Sequence, residues 1–259
     1  MNKKVILISI DGMRPDGALQ CGNPFVEEML KLGAYTLEAR TVFPSVTLPC
    51  HMSMFHSVPP ERHNVTTNTY VPPIHAFNGL FEQLKAAGKV CAMFYGWEPM
   101  RDVARPGCLT YASYFNVYAS DHSDAVQTRN ALDCIEKFHP DFVFLYMPEL
   151  DDKGGHDKGW MTPTYLEVLH DAIENVKTVW EAVRDEYTVI VTADHGGHDR
   201  GHGSDLPEDM TIPMFCLGEP FVPGSKLENA GILDVTPTIA ALMGVSPVRE
   251  WEGKSLIYD

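Results

Sequence analysis

The stretch Val5-Ile6-Leu7-Ile8-Ser9-Ile10 runs without a break into Asp11-Gly12-Met13-Arg14. A short apolar run that is continuous rather than alternating predicts a strand buried on both faces, as in a parallel sheet. The Asp-Gly pair at its end predicts a turn, with the Asp11 carboxylate pointing out of the sheet edge. The preceding Met1-Asn2-Lys3-Lys4 imitates the start of a signal peptide. The apolar run is too short for an h-region, however, and charges follow at once, so the first buried strand is the better reading.

Similar runs recur at Val90 to Tyr95, Phe142 to Met147, Thr188 to Thr192 and Met214 to Leu217. Helical patterns lie between them. Asn23 to Leu32 stops at Gly33 and His75 to Ala87 at Gly88, as glycine-terminated helices do. Asp121 to Phe138 and Thr164 to Arg184 are longer, with apolar residues at helical spacing, and Asp234 to Met243 stops at Gly244. This alternation predicts a doubly wound α/β fold: a mostly parallel central sheet with helices on both faces. Without repeats or a low-complexity linker, residues 1–259 are expected to form a single domain. An irregular, aromatic-rich segment near 95–118 (Tyr95, Trp97, Tyr111, Tyr114, Phe115, Tyr118) is read either as a cover over the site or as a surface excursion packed by its own rings.

The formal net charge of −15 argues against nucleic-acid binding, which wants a basic face. Most of the imbalance is an ordinary acidic surface, and bound divalent cations would offset about four charges. No run approaches the roughly 18 apolar residues of a membrane span. The six cysteines (Cys21, Cys50, Cys91, Cys108, Cys134, Cys216) show no paired spacing, which suggests reduced core thiols and a cytoplasmic location.

Three distant segments carry metal-binding side chains: Asp11-Gly12, Asp151-Asp152-Lys153-Gly154-Gly155-His156, and Asp194-His195-Gly196-Gly197-His198 with His202. Each begins at or just past the end of an expected strand. Ligands of open α/β sheets bind outside those carboxyl ends, so the segments can converge. Asp152 and His156, four apart, can chelate together whether helical or looped. Asp194 and His195 can do so if Gly196-Gly197 lets the chain turn. Any one of these residues alone is more often structural, but the set, with His202 between two glycines and His198 as its rival, points to a site for zinc or a similar cation. A hydroxyl is available at Thr47, in Phe43-Pro44-Ser45-Val46-Thr47-Leu48-Pro49-Cys50-His51. Threonine before Pro49 reads as a helix N-cap, and a helix N-terminus suits a phosphate. A nearby cation can lower the hydroxyl pKa enough for attack. Ser45 and Cys50 are lesser candidates, while His51 and His56 are expected to pack or cap.

Assembled in this order, the motifs resemble the alkaline phosphatase superfamily, and within it the type I phosphodiesterase/nucleotide pyrophosphatase family. Ser9-Ile10-Asp11-Gly12, the Thr47 segment, Asp152-Lys153-Gly154-Gly155-His156, Asp194-His195-Gly196 and His202-Gly203 each have a counterpart there, as does His63-Asn64-Val65-Thr66-Thr67-Asn68. The resemblance implies one cation held by Asp11, Asp194, His195 and Thr47, and a second held by Asp152, rather than Asp151, with His156 and His202. It implies Thr47 as nucleophile, a phosphothreonine intermediate, Asn68 on the phosphate, and a phosphate ester or nucleotide as substrate. Histidine content favours zinc, with manganese or magnesium as alternatives. Departures are Trp160 where the family often has proline, and Cys50 where it usually has asparagine. Rival readings are a phosphomonoesterase, with Arg14 or Lys153 binding the extra charge, a phosphonate hydrolase, and an inactive metal-binding scaffold or sensor. A sulfatase is disfavoured because Cys50-His51-Met52-Ser53 lacks the Cys-x-Pro-x-Arg pattern. Oligomeric state is not readable.

Overall fold

The computed structural model describes residues 3–72 and 77–257. Seven strands form one sheet: β1 (Lys4–Ile10), β2 (Gly33–Arg40), β3 (Cys91–Tyr95), β4 (Tyr111–Tyr114), β5 (Phe142–Met147), β6 (Tyr187–Thr192) and β7 (Thr211–Leu217), in the order β2-β7-β6-β1-β5-β3-β4. β1 sits at the centre, parallel to both β5 and β6. The antiparallel members are β7, against β6, and β2, against β7. The fold class is therefore the expected one, an α/β architecture around a mostly parallel sheet. β1, β5 and β6 are buried along almost their whole length, as continuous apolar runs require.

The helices are α1 (Pro15–Gln20), α2 (Phe25–Leu32), α3 (Thr47–His56), α4 (Pro60–His63), α5 (Leu80–Ala86), α6 (Ser123–Phe138), α7 (Pro163–Val183), α8 (Pro207–Met210) and α9 (Val235–Leu242). They pack as two groups, α1, α2, α6 and α7 against one another, and α3, α4, α5 and α9 against one another. α7 shows why its sequence is helical. Thr162 accepts a hydrogen bond from the Tyr165 N–H as N-cap, Pro163 opens the first turn, and Tyr165, Leu169, Ile173, Val176 and Trp180 form a buried stripe at helical spacing.

Sequence reading misses two strands. β2 begins at the glycine taken for a helix stop, and its alternating burial suits a sheet edge. β4 lies inside the segment expected to be irregular, where it pairs with β3. The expected helix over 75–87 begins outside the described residues, and its described part is α5. The helix expected from Asn23 starts at Phe25, since Asn23 Oδ1 instead accepts from the Phe25 N–H (3.0 Å).

The register decides where chemistry can occur. Ile10 pairs with Met147 and Ser9 with Thr192, so the carboxyl ends of β1, β5 and β6 are level. A Cβ placed on Gly33 would overlap the Cys216 backbone carbonyl across the β2–β7 pair. Gly33→Ala is therefore expected to cost about 1–3 kcal/mol, read from the urea midpoint, because backbone rather than a movable side chain must yield.

Candidate metal centre and active site

Asp11 follows β1 directly. Asp194 and His195 follow β6 after one alanine, and α3 presents Thr47 at its first turn. After β5, the chain forms a seven-residue π-helix, Leu150–His156. Single π turns are uncommon and often mark functional sites. Thr47 Oγ1 lies 3.3 Å from His195 Nε2. That nitrogen also lies 3.3 Å from Asp11 Oδ1 and 3.3 Å from Asp194 Oδ2. Asp151 stands 3.4 Å from His156 Nε2 and 3.8 Å from His202 Nε2. The His195 and His202 rings stack at 3.8 Å. Among the described residues, two sets of side chains bring ligand atoms close enough together to hold a cation: Asp11, Asp194 and His195, and Asp151, His195 and His202.

Backbone partners fix the histidine tautomers. His195 Nδ1 faces the Gly196 carbonyl (2.7 Å), His202 Nδ1 the Ser45 carbonyl (2.8 Å) and His156 Nδ1 the Arg200 carbonyl (3.0 Å). A carbonyl only accepts, so each Nδ1 carries the proton and each Nε2 turns a lone pair toward the carboxylates. Acceptors thus face acceptors. One buried oxygen each of Asp11, Asp151 and Asp194 has no hydrogen-bond partner among the described residues. Such groups are costly unless a cation or proton fills the space between them. The donor set, carboxylate oxygen and imidazole nitrogen, suits zinc or manganese.

The charges respond accordingly. Burial first, then Asp194 and Asp151, push the Asp11 carboxyl well above its ordinary range. Burial also raises Asp151, to about 6. Burial opposes the ionisation of Asp194, yet its carboxyl falls below the usual range, with the Gly12 N–H donating to its Oδ1 (3.2 Å). Burial holds His202 down at about 3, so its imidazole is neutral.

Two expectations need correction. The carboxylate that turns inward is Asp151, not Asp152. In a π-helix residues five apart share a face as readily as those four apart, so Asp151 pairs with His156, while Asp152 Oδ1 accepts from the Tyr118 hydroxyl (3.0 Å). Thr47 is the first helical residue rather than the N-cap. Val46 takes that extended position, which frees the Thr47 hydroxyl to face His195. His198 is engaged elsewhere, by Asp209 (2.7 Å).

A cavity of about 150 Å³ opens above the cluster. Asp11, Thr47, Asn68, Tyr146, Asp151, Asp152, His156 and His202 line its floor and walls together with Trp97, Val117 and Tyr118 from the aromatic segment. Among the described residues it is lined by no lysine or arginine. Arg14 pairs with Asp16 and the Gly197 carbonyl, and Lys153 with Glu149 and the Ser120 carbonyl. Asn68 Oδ1 accepts the Leu48 N–H (3.0 Å), which anchors its amide at the start of α3. Tyr146, unremarked in the sequence, donates its hydroxyl to Asp11. Its phenol inside an otherwise apolar run beside Ser9 is the signal that could have found it. His51 packs under the site as expected, its Nδ1 2.8 Å from the Thr47 carbonyl and its Nε2 3.0 Å from Ser9 Oγ.

The Asp151 carboxyl has a folded pKa raised above its unfolded value. Its contribution is therefore most favourable below the ordinary carboxyl range and is lost as pH rises through about 6. In a chelator, Asp151→Asn should unfold at higher urea than wild type at pH 8, by on the order of 1–3 kcal/mol, with a smaller gain at pH 5. A variant less stable than wild type at both pH values would show that ionising the buried Asp151 costs the fold nothing.

Known proteins share these features. A profile of the type I phosphodiesterase/nucleotide pyrophosphatase family matches residues 5–202. The chain is 24% identical over 217 residues to ectonucleotide pyrophosphatase/phosphodiesterase family member 1 of Rattus norvegicus, covering 74% of this chain and 24% of the relative. It is 26% identical over 282 residues to bis(5'-adenosyl)-triphosphatase of Mus musculus, covering 96% of this chain and 56% of that protein. The chain thus spans between a quarter and about half of the length of these relatives. In structure it resembles an inactive variant of murine ectonucleotide pyrophosphatase/phosphodiesterase 5 in complex with AMP (TM-score 0.81, 16% identity, 95% and 96% of the two chains). It also resembles a phosphonate monoester hydrolase from Silicibacter pomeroyi (TM-score 0.76, 14% identity, 98% and 76%). With the profile covering most of its length, the chain belongs to the type I phosphodiesterase/nucleotide pyrophosphatase family, whose members are hydrolases acting on phosphoric esters.

Proposed function

We propose that this protein is a metal-dependent phosphodiesterase or nucleotide pyrophosphatase in which Thr47 attacks phosphorus. The observation that carries this reading is the convergence of three carboxylates and three Nε2 atoms turned toward them, beside one threonine hydroxyl at a helix start. Asp11, Asp194 and His195 would hold one divalent cation next to Thr47, and Asp151, His156 and His202 a second, with zinc favoured by the imidazoles. When bound, such cations lower the pKa of a hydroxyl and offset phosphate charge.

The chain's own residues do the rest. The Gly196, Ser45 and Arg200 carbonyls keep the three imidazoles in the tautomer that can accept a cation. Tyr146 holds Asp11 in orientation from the side away from His195. The anchored Asn68 amide and the Thr47 N–H would donate to the non-bridging phosphate oxygens. With its proton passed to solvent, Thr47 Oγ1 would bond to phosphorus as the bond to the leaving oxygen breaks, that oxygen taking a proton from water, and water would then cleave the phosphothreonine and regenerate the Thr47 hydroxyl. Trp97 and Tyr118 on the rim give an aromatic leaving group, such as a nucleoside, a surface to rest on.

A phosphomonoesterase is the second reading, and the cavity lining weighs against it. A monoester carries an additional negative charge, and neither Arg14 nor Lys153 lines the cavity. A bis-aryl phosphate should therefore be turned over with higher kcat/KM than the aryl monoester, and the reverse ratio would make the monoester reading the better one. Thr47→Ala should keep the fold and cation uptake while lowering kcat by at least about a thousandfold. Undiminished turnover would rule out Thr47 as nucleophile and would leave Ser45 or a bound hydroxide in its place. Turnover absent from the wild type despite cation uptake would favour the scaffold reading. Asn68→Ala should lower kcat about a hundredfold with cation content unchanged, as the loss of one donor to a developing oxyanion does.

A further inference from the structure

We propose that Trp160 is a positioning residue that sets the spacing between the cation-binding segments, an inference that rests on the metal-centre reading above. Its indole is buried and touches all three segments at their glycines. A Cβ on Gly12, next to Asp11, would lie 3.2 Å from Trp160 Cζ2. One on Gly155, next to His156, would lie 2.5 Å from Cζ2 and Cη2. One on Gly197, two residues after His195, would overlap the ring. Neither Gly155 nor Gly197 has a positive φ, so ring contact rather than backbone conformation demands glycine at both.

The same ring meets two of the imidazoles edge-on, His156 at 5.4 Å and 85° and His202 at 6.0 Å and 63°. Its Nε1–H donates to the Gly12 carbonyl (2.9 Å), which also accepts the Tyr165 hydroxyl (2.9 Å). Its own backbone N–H is tied to the Asp199 carbonyl (2.8 Å), in the loop that carries His202. The indole therefore lies between segments that reach the site from β1, from β5 through the π-helix, and from β6. Packed interiors transmit such spacing because they leave no slack to absorb a shift. Trp160 need not touch substrate or cation to act; it sets how far apart the ligands stand.

The test compares Trp160→Phe with Trp180→Phe, the same change at another buried tryptophan that does not line the cavity. Each full-length protein, stripped of metal, is titrated with Zn²⁺ against a chromophoric chelator, and its urea midpoint is measured separately. Both variants should lose stability. Only Trp160→Phe should bind Zn²⁺ more weakly, by about tenfold or more, as with other outer residues that orient metal ligands. Equal Zn²⁺ affinity in the two variants overturns the proposal. Gly197→Ala tests the same contact with the indole retained, and covers the case in which Trp160→Phe fails to fold. It should weaken Zn²⁺ binding, and Trp160→Ala in its background should restore part of the loss by removing the clash. Simple additivity of the two losses overturns the proposal. A wild-type protein that takes up no Zn²⁺ overturns the metal-centre reading itself, whereas normal uptake by every variant overturns the Trp160 role alone.

Discussion

Like charge held at close range in a buried place is the constraint around which this molecule is organised. Asp11, Asp151 and Asp194 crowd one end of the sheet, and each keeps an oxygen that no described residue satisfies. Three imidazoles add lone pairs to the same space. Nothing in folding favours such an arrangement. Hydrophobic burial elsewhere must offset it, and the continuous apolar strands β1, β5 and β6 supply that burial directly beneath the cluster.

Topology explains why the cluster can exist. Parallel neighbours with level ends bring the chain out at the same height three times, so residues far apart in sequence emerge side by side. The central position of β1 matters most, since its two partners carry the other two segments. The remaining pieces, the start of α3 and the loop bearing His202, fold over that edge. Ser45 joins them: its hydroxyl donates to the Ser204 carbonyl (2.7 Å) and its own carbonyl accepts from His202.

Much of this was legible in the sequence, for physical reasons that differ by element. The buried strands announce themselves because both faces must be apolar, and Asp11, Asp194 and His195 because, although each alone reads as structural, together they stand at the ends of such strands. β2 and β4 were not legible, since edge strands bury one face at most and their patterns are weak. The choice between Asp151 and Asp152 was equally hidden. Motif spacing assumes ligands four positions apart, and only the π-helix, a backbone state with no reliable sequence signature, moves the inward position by one. Trp160 could be noticed as a departure from the family pattern, but its contacts with Gly12, Gly155 and Gly197 depend on tertiary approach.

The acidic, cation-poor lining of the cavity also has a kinetic consequence. At a few ångströms in a partly desolvated site, an incoming phosphate and an uncompensated carboxylate repel each other by several kcal/mol, on the order of 4 at an intermediate dielectric. With Arg14 and Lys153 both directed elsewhere, the described lining offers an anion no lysine or arginine to land on. Under the function proposed above, a cation would therefore have to bind before the ester. Chelators and phosphate mimics should act at different stages of that sequence, the first by withholding the entry step and the second by competing only after it.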